Sequence, residues 1–453
     1  MRFLPTSKTS DMSTSRTLHW FRNDLRLDDN PALAEALRSD EVVPVVVLDD
    51  RLWSEDRWGH VKTGPFRTRF VLESVADLKA AIEDAGGSLL VKQGRPEEIL
   101  PRLMEDWSCA ALTAQAEHTP EELDIESAVA HAVQEVGGTS RWIEGHTLFH
   151  PDDLPMDLDA IPDIFTQFRK KVEKHSEVRE CIAAPSALSC PDGLASDAVP
   201  TWEDLLAQTG QTMPPADSRG VLPFKGGASE ARARLKHYFW DTKKLAVYKK
   251  TRNGLVGADY SSKFSPWLAS GCISPRRIAS EVYRFEDNVE ANDSTYWLVF
   301  ELIWRDYFRF LAMKFGSRIF HRKALKPESA NRGTQRPAFE AWKEGRTKDA
   351  FVNANMRELA RTGFMSNRGR QNVASYLVHD LGIDWRLGAS WFEHCLLDYD
   401  PASNAGNWIY VAGVGNDPRP NRKFNTQRQA EMYDGDGKYQ TLWSTDALEL
   451  DVR

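Results

Sequence analysis

Residues 17–49 read TLHWFRNDLRLDDNPALAEALRSDEVVPVVVLD. A short apolar run at 17–21 gives way to an amphipathic stretch at 31–37, and a second apolar run follows at 42–49. Short runs rich in β-branched and aromatic residues predict strands, and the stretch between them predicts a helix. Asn30 before Pro31 adds a helix start, because Asn can cap the first free amides and Pro at the first helical position loses no bond. The alternation continues through 66–85, SLLVK, 96–107, AALTA, 120–136 and RWIEG, with Gly86-Gly87 and Gly137-Gly138 as helix stops. Strands alternating with helices build βαβ units, so residues 17–147 predict an α/β, Rossmann-like domain on a mostly parallel sheet. Neither G-x-G-x-x-G nor G-x-x-x-x-G-K-[ST] occurs there, so this fold alone assigns no function.

Beyond that domain the pattern changes. Residues 148–222 turn proline- and acid-rich (PDDLPMDLDAIPD, AAPSALSCPDG, TMPPADSRG) and predict an interdomain linker draped over the surface, with one helix at 164–181. From 223 to 453 helical spacing dominates, which predicts a second, all-helical domain, and 453 residues are too many for a single core. Residues 1–16 are polar and Ser/Thr-rich without an apolar signal core, so they predict a flexible extension rather than a secretory signal, with an organellar address left open. No apolar run is long enough for a membrane span. The five cysteines are odd in number and show no C-x-x-C pair, which argues against a disulfide framework or a structural metal and favours a reducing, cytoplasmic setting. The net charge of −8 hides an asymmetry, with acids prevailing before residue 223 and Lys and Arg after it. That points to an anionic ligand or nucleic acid on the second domain.

Three stretches of the second domain carry chemistry. Residues 364–410 crowd Arg368, Arg370, Asp398, Asp400, Asn404 and Asn407 around Trp385 and Trp408. Such side chains are costly to bury without partners, so the run predicts a polar, charge-bearing ligand ringed by aromatics. In YWLVFELIWRDYFRF, 296–310, Glu301 sits at helical spacing from Trp297, Trp304 and Arg305; a surface Glu301–Arg305 ion pair is the bland alternative. GADYSSKFSPWLASG, 257–271, gathers hydroxyls, Lys263 and amides ahead of a helix start near Pro266, which suits a phosphate or diphosphate, with plain capping by Ser265 as its alternative.

WFRNDLRLDDNPAL, DYSSKFSPWLASG, WLVFELIWRDYFRF, NANMRELARTGFMSNRGRQNVAS and DYDPASNAGNW, in this order, resemble the photolyase/cryptochrome family. NRGRQNVASYL and YVAGVGNDPRPNRKFN resemble its cryptochrome DASH subfamily. The resemblance spans about 17–439 and implies an antenna domain followed by a helical domain that holds FAD. It implies that Tyr248, Ser261, Ser262, Lys263, Phe264 and Ser265 hold the flavin diphosphate, that Glu301, Arg305, Asn367 and Arg370 wall the cavity, and that Asp398, Asp400 and Asn404 line ribityl and isoalloxazine. Asn404 then faces flavin N5, where an amide can stabilise a neutral radical. The implied reaction is light-driven repair of a cyclobutane pyrimidine dimer by one electron from excited reduced flavin. Glu301 is the implied acid at the pyrimidine edge, Trp304 and Tyr410 stack the flipped dimer, and Trp385 and Trp408, 23 residues apart, are the inner members of an electron relay.

Several positions depart from the family pattern. Arg332 stands where an outer relay tryptophan is usual, so photoreduction is expected either to run by another route, such as through Trp342, or to be slower. Asn353 replaces a usual aspartate and is expected to cap its helix. Gln371 and Tyr410 stand where duplex-repairing relatives carry Met and Trp, which makes the dimer pocket more polar and narrows its stacking surface. Flipping costs least from a single strand, so single-stranded DNA is the expected substrate, with RNA as a further nucleic-acid partner. Glu117, in QAEHTPEE, is the implied contact of a 5,10-methenyltetrahydrofolate antenna, with an exposed acid on a surface helix as the alternative. The expectation is a monomeric dimer-repair enzyme; its rival is a blue-light photoreceptor that binds FAD and nucleic acid without repair.

Overall fold

The computed structural model describes residues 14–327, 332–417 and 423–444. Of the N-terminal extension, residues 1–13 lie outside these, as do 418–422 within the YVAGVGNDPRPNRKFN motif. Five parallel strands form one sheet in the order β3-β2-β1-β4-β5: β1 (Arg16–Phe21), β2 (Glu41–Leu48), β3 (Leu90–Gln93), β4 (Ala111–Gln115) and β5 (Thr139–Ile143). Helices α1 (Pro31–Ala36), α2 (Pro65–Asp84), α3 (Pro96–Asp106) and α4 (Pro120–Glu135) connect them. The expected α/β architecture is therefore present, strand by strand. Asn30 caps α1 by accepting from the Leu33 amide at 3.0 Å. Gly86 and Gly137 follow α2 and α4 with φ of +82° and +78°, a conformation that glycine enters without a Cβ clash. Pro44 tolerates an inner strand because β3 begins opposite Val45, one residue past it.

Residues 148–222 are more than a draped linker. Helix α5 (Phe165–His175) ends before the expected boundary at 181, and a second helix, α6 (Trp202–Gln208), follows with Thr201 accepting from the Asp204 amide. Phe165, Phe168, Val172 and Leu205 are buried in the same apolar cluster as strand and helical-domain residues, so this segment is part of the core that joins the two domains. Its polar ties are equally specific. Asp306, on the helix Asp293–Phe315, accepts from the amides of Leu148 and Phe149 at 2.9 Å each. Asp29 receives Arg276 at 2.7 Å, Ser274 at 2.5 Å and the Ile182 amide at 3.1 Å.

From Ala228 onward the described residues form helices and short helical turns, with an isolated bridge between Gly333 and Ile383. All five cysteines are unpaired. Two capping expectations change. Asp349, not Asn353, caps the helix Ala350–Thr362; Asn353 lies inside that helix and holds Thr347 through bonds of 2.7–2.9 Å. Ser265 is the first residue of the helix Ser265–Ala269 and makes no side-chain cap bond.

Candidate functional site

The helical domain encloses a cavity of about 570 Å³. Its floor is built by two helices that begin at their own acids and hydroxyls. Asp400 caps the helix Pro401–Ala412, its Oδ1 accepting from the Ser403 amide at 2.7 Å, which places Asn404, Trp408 and Tyr410 along the lining. Ser366 caps the helix Asn367–Ser375, which places Asn367, Arg370 and Gln371 opposite. The long helix Asp293–Phe315 contributes Glu301, Trp304 and Arg305.

Charge within the floor is paired. Arg370 donates to Asp398 Oδ2 at 2.8 Å and to the Met365 carbonyl at 2.9 Å, while Asp398 Oδ1 is buried without a hydrogen bond among the described residues. Arg309 pairs with Asp400 on one side and lies 3.5 Å from Glu117 on the other. Burial alone would raise the Asp400 carboxyl, but Arg309, Arg305 and the Ser403 amide outweigh it and hold it below the usual range. Arg305 donates to the carbonyls of His146 and Leu268, and burial with the Arg309 charge lowers it to about 10. The Asn404 amide nitrogen is anchored on the Ala389 carbonyl at 3.1 Å, which leaves its oxygen to face the cavity.

The loop 258–263 forms another wall. Arg234 gathers it by donating to the carbonyls of Ala258, Ser261 and Ser262 at 3.0 Å each and to Asp259 at 2.8 Å. Lys263 adopts φ of +58°, and its ammonium lies 3.1 Å over the Tyr260 ring. Burial and the nearby Arg234 charge push Lys263 well below its ordinary range, which a bound anion would reverse. Tyr260 Oη is also buried without a hydrogen bond among the described residues.

The mouth is aromatic with one acid. Trp304 and Tyr410 meet at 6.2 Å with ring planes 84° apart, which makes a corner rather than a slot. Phe165 of α5 stacks behind Trp304 at 3.6 Å and 12°. Glu301 pairs with Arg252 at 2.5 Å, not with Arg305, so the bland surface pair does not form. Burial raises the Glu301 carboxyl above its usual range despite Arg252.

Tyr248, Ser261, Ser262, Lys263, Phe264, Ser265, Glu301, Trp304, Arg305, Asn367, Arg370, Gln371, Asp398, Asp400, Asn404, Trp408 and Tyr410, all named from the sequence, line this one cavity. Two others do not. Trp385 is buried off the lining and donates to the Arg322 carbonyl at 3.1 Å, while Trp342 is the tryptophan in ring contact with Trp408, at 6.5 Å. Arg332 is buried and donates to the Val378 carbonyl at 3.2 Å. Glu117 is neither exposed nor on a helix: it precedes α4 at the domain seam, 3% exposed, and receives Asn23 at 2.9 Å, His146 at 2.8 Å and Arg309. The alternative of an exposed acid on a surface helix therefore does not hold. Sequence reading missed Arg234, Arg252, Arg309 and Phe165. Only Arg309 had a local signal, since Glu301, Arg305 and Arg309 recur every four residues on one helix face.

Models of two families match this chain: DNA photolyase over residues 17–188 and the FAD binding domain of DNA photolyase over 297–451. Together with the cavity they define a photolyase-type protein with an FAD-binding helical domain. Cryptochrome DASH of Danio rerio is 49% identical over 438 residues, covering 95% of this chain and 84% of that one. A chloroplastic/mitochondrial cryptochrome DASH of Arabidopsis thaliana is 46% identical over 94% of this chain and 75% of that one. Among solved structures, a cryptochrome of Synechocystis sp. aligns with TM-score 0.90 and 44% identity over 98% of this chain and 89% of that one. A photolyase of Sulfolobus tokodaii with two FAD molecules aligns with TM-score 0.76 and 27% identity over 95% of this chain and 90% of that one. The chain belongs to the photolyase/cryptochrome family, in its cryptochrome DASH branch. No helix among the described residues is long and apolar enough to cross a membrane.

Proposed function

We propose that this protein repairs cyclobutane pyrimidine dimers in single-stranded DNA, driven by light and dependent on FAD. The observation that carries the reading is one cavity holding a paired-charge floor and, at its mouth, an acid beside an aromatic corner. The floor fits a dinucleotide. Buried Asp398 Oδ1 and Tyr260 Oη make no hydrogen bond among the described residues, a bound anion would offset the burial and Arg234 charge that lower Lys263, and the volume lies in the range of cofactor sites, about 300–1,000 Å³. Tyr248 and residues 261–265 would hold the diphosphate, Arg370 and Asp398 the ribityl side, and Asp400 and Asn404 the ring. When bound, the flavin supplies light absorption and one-electron chemistry.

The chain's own residues do the rest. Trp304 and Tyr410 offer two ring faces to an unstacked pyrimidine pair, and Phe165 fixes the Trp304 face in place. Glu301, whose carboxyl burial raises above its usual range, would supply a hydrogen bond to the pyrimidine edge once Arg252 moves away. The Asn404 oxygen, its amide nitrogen held by the Ala389 carbonyl, would accept from a proton donor at the cavity floor. Trp408, with Trp342 in contact and Trp385 behind, is the proposed electron route from the surface. A second chromophore is a separate question: the resemblance leads to folate emission in a pigment extract, and a flavin-only extract would remove it. The cytoplasm is the proposed compartment, with an organelle the result a fluorescent fusion would otherwise reveal.

Replacing Glu301 with Ala tests the reading. Dimer loss from a single-stranded oligonucleotide under light should slow about a hundredfold with the flavin spectrum retained. Loss of the flavin spectrum would show that Glu301 serves the cofactor, and absence of repair by the unaltered protein would leave the photoreceptor.

A further inference from the structure

Gln371 stands on the cavity lining, four residues after Asn367, and its side chain is held from behind. Arg368, on the same helix, donates from Nη1 to Gln371 Oε1 at 2.9 Å. The Arg368 guanidinium is itself fixed from two other segments. Nη2 donates to Asn253 Oδ1 at 3.0 Å, just past the turn Tyr248–Thr251; Nη1 reaches Gln429 Oε1 at 3.4 Å, and the guanidinium carbon lies 4.5 Å over the Tyr433 ring, both on the helix Thr426–Tyr433. A guanidinium has five donors and no acceptor. Gln371 therefore cannot turn its amide over while Arg368 is in place, because that would set N–H against N–H.

We propose that Arg368 is a positioning residue for the substrate: it locks Gln371 with the Nε2 donors turned into the cavity, so that the mouth selects pyrimidines that present a carbonyl oxygen there. This rests on the reading that a pyrimidine dimer enters the cavity. Thymine and uracil show carbonyl oxygens on both sides of N3–H, whereas cytosine shows an amino group at one of those places and would meet donor with donor. Leaving a buried donor without an acceptor is the stronger form of discrimination, since a site built to bond a group rejects the analogue that lacks it. On this account Gln371 does more than make the pocket polar. Its orientation is imposed from the C-terminal helix Thr426–Tyr433, through Arg368.

Binding in the dark separates recognition from turnover. The probe is a single-stranded oligonucleotide with one thymine dimer, titrated by fluorescence anisotropy against the same strand undamaged and against the same strand with a thymine–cytosine dimer at that place. Arg368→Met and Gln371→Leu should each reduce the preference for the thymine dimer over the thymine–cytosine dimer about fivefold to tenfold, and the double variant should lose no more than either alone. Gln371→Glu, which offers acceptors only, should lose as much as Gln371→Leu. Additive losses would mean that Arg368 acts on the strand by itself, and would overturn the proposal. Flavin absorbance and Tm report whether each variant folds. If Arg368→Met does not, Gln429→Leu with Tyr433→Leu loosens the same guanidinium from its far side, and an unchanged preference there also overturns the proposal. If the unaltered protein shows no preference for the dimer, the repair reading fails as well; preference in the unaltered protein with additive variants fails this inference alone.

Discussion

The floor and the mouth of the cavity hold their charges in different ways. At the floor, Asp398 and Asp400 are buried against Arg370 and Arg309, and Asp400 is at once a helix cap and the end of a buried chain through Arg309 to Glu117 on the α/β domain. At the mouth, the Glu301 side chain is 27% exposed in its pair with Arg252, against 1% and 10% for Asp398 and Asp400, and Gln371 meets Arg368. A buried charge that loses its partner is strongly penalised, whereas a half-exposed pair can exchange partners at little cost because water takes over. The floor is thus suited to a ligand that stays and the mouth to one that comes and goes.

The largest effect should come from breaking the floor. Asp400→Ala leaves the buried Arg309 with Glu117 alone, 3.5 Å away, and removes a helix cap, a loss of up to about 3–5 kcal/mol. The variant should purify with little flavin, read as the ratio of flavin to protein absorbance; full occupancy would mean that the floor does not hold the cofactor. A mouth substitution should do the converse. Trp304→Ala should keep the flavin and weaken dimer-strand binding by about 1–3 kcal/mol, the worth of stacking one base. Phe165→Ala, which only removes the backing of that ring, should weaken it less in the same titration.

Another effect is one of pH, at Glu358 on the helix Ala350–Thr362. Glu358 is fully buried, accepts from Tyr439 Oη at 2.6 Å, and is raised by burial to about 7. A glutamate in the unfolded chain titrates near about 4.3, so between the two values the native chain binds the extra proton and loses stability as pH rises. Glu358→Gln does not titrate. The Tm of the unaltered protein should therefore fall relative to that variant from about pH 4.5 to 7 and level off above. A constant difference would show that the Glu358 pKa is not raised on folding.

The strands and helices of the α/β domain were legible in the sequence because each is announced locally, by an apolar run, an Asn–Pro start or a Gly–Gly stop. So were most of the cavity residues, which lie in a few continuous motifs. What escaped depends on contacts remote in sequence. Helix α6 is short and hidden among prolines; Phe165 looks like linker until it is found against Trp304. Glu301 found Arg252, 49 residues away, in preference to Arg305 one turn on, because Arg305 is drawn to the carbonyls of His146 and Leu268. Asn353 lost the capping role to Asp349, which stands at the helix boundary itself.

The central claim is that the mouth accepts a dimer already free of the stack more readily than one it must pull from a duplex. Illuminating the reduced protein with one thymine-dimer sequence, single-stranded and duplex, and following dimer loss tests this directly. The account predicts repair of the single strand and much slower repair of the duplex, by a factor that reflects a flipping cost of a few kcal/mol. Equal rates on both, or no repair of either, would contradict it.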